Sequence, residues 1–565
     1  MAEARDDGAG APDPDWGLGA IADPVAFGEA IAGLGKRLAG DPGALAGATM
    51  RFATGLVEIG ATVAARAVGA KTEGPMPTAD RDPRFADQAW ESNPGFYGLR
   101  QCYLLWARTM RELAASGSDD ELGGKAEFAV GQLVDALAPT NFLLGNPTAL
   151  KRAFETGGSS VARGVARFLD DVATNGGWPR QVDTSELELG RDLAATPGKV
   201  VYRNRLMELI QYEPRTESVF ELPILLSPPW INKYYVMDLA PGKSFAEWAL
   251  DQGHTVFCIS YRNPDESFRE IGFEDYLREG PLEALDVVQE ITGASQVNVV
   301  GLCLGATLAA VMLADLARTK GGRERIRSAT LLNALVDFSE PGPLGNFVDA
   351  RTVARLEQRM AKRGYLEASE MAGTFNLLRA NDLIWRYVSS SWLQGEDPPT
   401  FDILQWNEDA TRMPARMHSE YLHWMYLENR LAQGTLEIGG RTVSLAKSPV
   451  ELYILSARED HITPWHGCYR TTQLAGGPKR FVLTSSGHIA GIVNPPGPKR
   501  KHWMNDALPA DADEWLAGAA EQPGSWWEDW ARWAADRGGK RREPPATGSA
   551  AHPPLEGAPG TYVRG

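Results

Sequence analysis

Residues 297–306, VNVVGLCLGA, run from an apolar, strand-like stretch into Gly301-Leu302-Cys303-Leu304-Gly305, a nucleophile elbow with cysteine at its apex. Such an elbow turns the backbone from strand to helix so sharply that a Cβ two residues before or after the nucleophile meets the neighbouring turn. Gly301 and Gly305 answer that requirement. Val297, Val299 and Val300 read as a buried strand, and the alanine- and leucine-rich stretch 306–318 as a helix whose N-terminus favours negative charge at Cys303. Taken alone, the motif fits a buried structural cysteine equally well, so the rest of the chain has to decide.

From about Val200 onward, short apolar strands alternate with helical stretches: VVYRNRLMELIQY, LPILLSP, HTVFCISY, VNVVGLC, SATLLNALVDF, VELYILSA and KRFVLTSS. This alternation predicts a mostly parallel sheet with helices on both faces. About 112 residues separate Asp337 from Val450, far more than a crossover helix needs, and an inserted helical cap is expected at about 339–446. Its aromatic residues, Phe375, Trp385, Trp392, Phe401, Trp406, Tyr421, Trp424 and Tyr426, suit either the core of the cap or a lid over an apolar channel.

Upstream, a mainly helical domain is expected over 23–195, after a disordered start at 1–22 and an N-cap at Asp23-Pro24. Phe27, Ile31, Leu34 and Leu38 form one amphipathic face; Phe52, Leu56, Ile59 and Val63 form another, serving either packing or docking on a hydrophobic surface. Residues 196–537 form the expected catalytic domain, closed by a capping box at Ser525 and Glu528 ahead of Trp526, Trp530 and Trp533. The Pro-, Gly- and Ala-rich stretch 538–565 reads as a flexible tail.

Composition narrows the function. Across 565 residues the formal net charge is −16, which argues against nucleic acid as a partner. The four cysteines lack ligand spacing, so no zinc site, other metal or disulfide framework is expected. No transmembrane segment and no signal peptide are read, which makes the expected location cytoplasmic.

A cysteine nucleophile needs a base and a carboxylate to orient it, and an elbow fold supplies them in the order nucleophile, acid, histidine. Asp460 follows the strand VELYILSA, and His488 follows the last strand in TSSGHIAG; His461, beside Asp460, is the rival base. The consistent assignment is Cys303 as nucleophile, Asp460 as acid and His488 as base. The oxyanion hole needs the amide of Leu304 and a second amide from the loop LLSPPWINKYY. Pro228 and Pro229 have no N–H, which leaves Trp230 or Ile231.

These residues resemble a polyhydroxyalkanoate synthase. The similarity runs from about residue 80 to about 537 and includes Gly301–Ala306, LSPPWINKYYVMDL, SYRNPDESF, FNLLRANDLIW, FDILQWNEDATRMP, SAREDHITPW, GPKRFVLTSSGHIAGIVNPP and GSWWEDWARW. WNEDATRMP and YLENRL resemble class I enzymes, which act on short acyl chains. The resemblance implies an α/β-hydrolase fold with an inserted cap and an acyltransferase that joins (R)-3-hydroxyacyl groups from coenzyme A thioesters into polyester, without a cofactor. It further implies a growing polyester and granule surface as partners, and a homodimer. It assigns Asp460 either to orienting His488 or to acting as base toward the incoming hydroxyl. A thioesterase or depolymerase with the same triad, and a non-catalytic granule protein, are the alternatives. Lys499, Arg500 and Lys501 suit either coenzyme A phosphates or solvent. One departure stands out: Ala306 replaces the family's second glycine, a change that helix packing should tolerate.

Overall fold

The computed structural model describes residues 24–77, 82–116 and 121–565; the expected disorder of 1–22 and the Asp23 cap lie outside them. The chain divides into two compact units. One holds the described residues up to Asp183 together with Gly373–Pro399, and the other holds Thr184–Ala372 and Thr400–Gly565. The expected cap is therefore split, and about a quarter of it, near its middle, belongs to the helical unit.

In the helical unit, Asp41, Asn93 and Asn146 each stand before a proline, and each accepts a backbone N–H of the helix that follows, at 2.9, 2.9 and 3.0 Å. These caps open the helices Pro42–Ala67, Pro94–Ala115 and Pro147–Glu155. Phe85, Trp90, Tyr103, Val130 and Val134 form the core, to which Leu34 contributes while Ile31 faces outward. Trp392 donates to Asp171 at 2.8 Å, and Trp385 and Phe128 both pack against the cluster Leu377, Ala380 and Ile384, so these two half-buried cap tryptophans pack within this unit.

The second unit is built on ten strands: β1 (Gly198–Arg203), β2 (Met207–Tyr212), β3 (Ile224–Ser227), β4 (Val256–Tyr261), β5 (Val297–Leu302), β6 (Ile326–Leu332), β7 (Glu451–Ala457), β8 (Lys479–Thr484), β9 (Lys501–Met504) and β10 (Ala520–Pro523). They are ordered β1-β2-β4-β3-β5-β6-β7-β8-β9-β10, with β4 through β8 in that order parallel and both edges antiparallel. Every residue of β5 is buried, as a parallel strand covered on both faces requires. The helix Leu304–Leu316 is buried all round from Leu304 to Ala314, which its apolar composition permits. The register aligns Ser227 with Gly301, Leu302 with Leu332, Leu332 with Leu455 and Ala457 with Thr484. Loops leaving β3, β5, β6, β7 and β8 therefore open at one edge of the sheet.

Two expectations need correction. The run VVYRNRLMELIQY is two antiparallel strands, β1 and β2, because Asn204 accepts the amides of Leu206 and Met207 and turns the chain. The tail 538–565 is packed. Arg541 and Arg542 pair with Phe220 and Val219, respectively, and the Leu555 amide donates to the Val200 carbonyl. Glu208, fully buried on β2, accepts the amides of Thr561 and Tyr562 at 3.0 and 3.1 Å. A buried carboxylate requires such donors, and the tail supplies them despite its disorder-like composition.

Ser525 and Glu528 form the expected capping box, and the helix Trp526–Ala535 buries Trp526, Trp527, Trp530 and Trp533. The indole N–H groups of Trp526 and Trp527 donate to the carbonyls of Gly491 and Ile492, both at 2.9 Å. These carbonyls lie in the short helix His488–Ile492, so the tryptophan stripe ties down the segment that carries His488. Trp526→Phe leaves the buried Gly491 carbonyl unpaired and is expected to cost about 1–3 kcal/mol in chemical denaturation.

His254 and His418 are buried, and burial holds both below the usual imidazole range, at about 3 and about 4; Arg541 adds to the effect at His254. The unfolded chain then binds protons that the folded chain refuses, so their contribution to stability is present above pH 6.5 and is lost as pH falls toward 4. Between pH 7 and 5 the thermal midpoint of His418→Leu should fall less than that of the parent; equal slopes would contradict this.

Candidate active site

Cys303 stands between β5 and its helix at φ +52 and ψ −121, a conformation that an L-residue holds only where the surroundings impose it. The glycines explain how. A Cβ on Gly301 would lie 2.5 Å from the Ala306 Cα, and one on Gly305 would lie 2.0 Å from the Ser227 carbonyl oxygen. Gly305 thus lets the helix start press against the end of β3, where the loop Pro228–Ile231 begins. Ala306 is fully buried and its amide donates to the Cys303 carbonyl at 3.0 Å, so its methyl is accommodated within a regular first turn.

Asp460 and His488 come together from two different strand ends. His488 Nδ1 and Asp460 Oδ2 are 2.6 Å apart, and both residues are buried. Asp460 Oδ1 also accepts the amides of Ile462 and Thr463, at 2.8 and 2.9 Å, and Oδ2 accepts the Thr463 hydroxyl at 2.8 Å. Burial opposes ionisation of Asp460, but the His488 imidazole and these donors outweigh it and hold the carboxyl below its usual range. Burial likewise opposes protonation of His488; the Asp460 carboxylate and the charge of the Cys303 sulfur outweigh it and raise the imidazole above its ordinary value. The imidazolium form is therefore favoured between a carboxylate on one side and sulfur on the other, which is the arrangement that draws a proton from a thiol. The partner of Asp460 is thus the distant His488, with the rival His461 adjoining it in sequence.

The oxyanion candidates are held from outside. Thr411 Oγ1 donates to the Trp230 carbonyl at 2.5 Å, and the Thr411 amide donates to the Ile231 carbonyl at 3.0 Å. Trp406 Nε1 donates to the Lys233 carbonyl at 2.8 Å. The segment containing WNEDAT therefore clamps the loop LSPPWINKYY, a link the sequence signalled only as two separate motifs. Among the described residues, the Trp230 and Ile231 amides donate to no backbone carbonyl, and the Leu304 amide begins a helix, where no intrahelical acceptor exists.

Tyr421 and Tyr426 lie near the Cys303 sulfur and interact electrostatically with it, within a ring cluster that includes Phe273, Phe338 and Trp424. Lys501 lies on β9, a strand the sequence reading missed, and pairs with Glu521 at 2.9 Å. No cluster of metal-ligating side chains occurs among the described residues. Among the described residues, no helix is long and apolar enough to cross a membrane.

A family model described as poly-beta-hydroxybutyrate polymerase (PhaC) N-terminus matches residues 81–249, and one described as the alpha/beta hydrolase fold matches residues 232–495. A poly(3-hydroxyalkanoate) polymerase of Methylorubrum extorquens is 44% identical over 93% of this chain and 87% of that protein. The poly(3-hydroxyalkanoate) polymerase subunits PhaC of Rhizobium meliloti and Cupriavidus necator are 44% and 43% identical, over 88% and 87% of this chain and 82% and 84% of those proteins.

The two positions after Leu304 are expected to differ sharply in tolerance. Ala306→Gly should cost about 1 kcal/mol in thermal unfolding, the helix propensity lost. Gly305→Ala should cost about 3 kcal/mol through overpacking against Ser227.

Proposed function

Because the chain belongs to the poly(3-hydroxyalkanoate) polymerase family, acyltransferases with an α/β-hydrolase fold, we propose that it joins (R)-3-hydroxyacyl groups, 3-hydroxybutyryl foremost, from coenzyme A thioesters into polyester through a thioester on Cys303. The observation that carries this reading is the buried Asp460–His488 hydrogen bond together with Cys303 held at the strained apex of the elbow.

In the first step His488 takes the thiol proton and the Cys303 sulfur attacks the acyl carbon. The oxyanion is received by the Leu304 amide and by that of Trp230 or Ile231, and coenzyme A leaves as a free thiol with the proton. One thioester replaces another, so the acyl group stays activated on the protein. In the second step the 3-hydroxyl of another acyl unit attacks that carbon. An oxoester forms, the Cys303–acyl bond breaks and the hydroxyl proton passes to the base. A serine ester in place of the thioester would forfeit the downhill character of this step. Asp460, held ionised by four hydrogen bonds, orients His488; its buried carboxylate also remains available as base toward the hydroxyl.

The aromatic cluster around Tyr421 and Tyr426 supports a dry approach to the sulfur, which favours attack by a hydroxyl over attack by water. In the helical unit, Phe52, Leu56, Leu99, Leu137, Phe142 and Leu144 line an apolar groove of about 670 Å³, and Leu144 and Phe154 are almost fully exposed. Such a face fits contact with the polyester granule rather than water.

Incubation with 3-hydroxybutyryl-CoA should give free thiol and insoluble polyester in step, with the C8 substrate slower. Cys303→Ala should abolish both products, and Asp460→Asn should slow turnover by ~100-fold or more. Soluble 3-hydroxybutyrate as the main product would establish the hydrolase reading instead.

A further inference from the structure

Asn333, the first residue after β6, has no part in the chemistry above, yet it touches the neighbourhood of every member of the proposed triad. It is fully buried, and its backbone sits at φ +44, in the left-handed region that asparagine tolerates better than most residues. All of its polar groups are engaged. Its amide donates to the Leu455 carbonyl at 2.9 Å, and its carbonyl lies 3.2 Å from the Thr463 hydroxyl, whose single proton is shared with the closer Asp460 Oδ2. Its side-chain Oδ1 accepts the Ala457 amide at 2.9 Å, and Nδ2 donates to the carbonyl of His488 itself at 2.6 Å.

Each partner leads to one catalytic group. The Ala457 carbonyl accepts the Asp460 amide at 3.2 Å, and Thr463 binds the Asp460 carboxylate. Leu332, which precedes Asn333, accepts the amide of Cys303 at 2.9 Å. A single side chain therefore bridges the ends of β6 and β7 and the start of the His488 helix. Resting on the triad reading above, we propose that Asn333 is a positioning residue that sets the distance between the His488 imidazole and the Cys303 sulfur. The carboxamide suits this task because it offers one acceptor and one donor in a fixed fork. Both of its partners are backbone groups that no substitution removes.

The test uses the full chain with Asn333→Gly and Asn333→Ala, and His488→Ala as reference. Iodoacetamide labelling of Cys303 is followed against pH by mass spectrometry of its peptide, beside kcat and KM for polymerisation. The titratable groups facing the sulfur and imidazole, namely Asp460, Cys468, Tyr421 and Tyr426, are the same in both Asn333 variants. His488→Ala should move the labelling profile to higher pH. Both Asn333 variants should move it the same way by less, with kcat down about 10–100-fold and KM nearly unchanged. Asn333→Ala should melt below Asn333→Gly, because only glycine takes the left-handed backbone freely, while their labelling profiles coincide. A parental profile and kcat in Asn333→Gly overturns the positioning role and leaves the triad standing. A Cys303 profile indifferent to His488→Ala overturns the triad, and this inference with it.

Discussion

The close approach of Gly305 to the Ser227 carbonyl is the constraint on which the rest of the site depends. With any larger residue at 305 the helix Leu304–Leu316 could not begin where β3 ends, since the added atom would sit 2.0 Å from that oxygen. The same contact holds Cys303 at φ +52 and brings the Leu304 amide beside the loop Pro228–Ile231. Strain of about 1–3 kcal/mol at such a residue is sustained by the buried sheet and by the helix packed around it. The proposed nucleophile and the proposed oxyanion loop are thus placed by backbone geometry.

Asp460 and His488, the proposed acid and base, are placed differently, by polar contacts at the ends of β7 and β8. The carboxylate of Asp460 is encircled by donors, and the helix carrying His488 is pinned by two indoles from the C-terminal helix and by the carboxamide of Asn333. Each of these bonds satisfies a buried backbone or carboxylate group that would otherwise cost free energy. Rigidity and satisfied polarity come from the same contacts.

Much of this was legible in the sequence because it follows from local rules. The elbow needs glycines at fixed positions, parallel strands read as continuous apolar runs, and Asp460 and His488 each follow such a run. What escaped reading depends on contacts distant in sequence. β9 and β10, the last two strands on one side of the sheet, have mixed composition, so no apolar run announces them. The tail looks disordered by composition but is needed to satisfy Glu208 on β2. Thr411 sits within a motif that does not reveal its partner, and Asn333 carries no motif of its own; their roles exist only once Trp230, Ile231, Ala457 and His488 are assembled around them. The split of the cap is likewise invisible in a helical pattern, because the helices of 373–399 have the same periodicity whichever core they join.

The central claim is that Cys303 carries the acyl chain. Rapid quenching in acid after mixing with 3-hydroxybutyryl-CoA, followed by digestion and mass spectrometry, tests it directly. The account predicts one or more 3-hydroxybutyryl units on the Cys303 peptide, removed by neutral hydroxylamine as a thioester is and an oxoester is not. An unmodified Cys303 peptide during active turnover, or acyl groups on another residue, would contradict it.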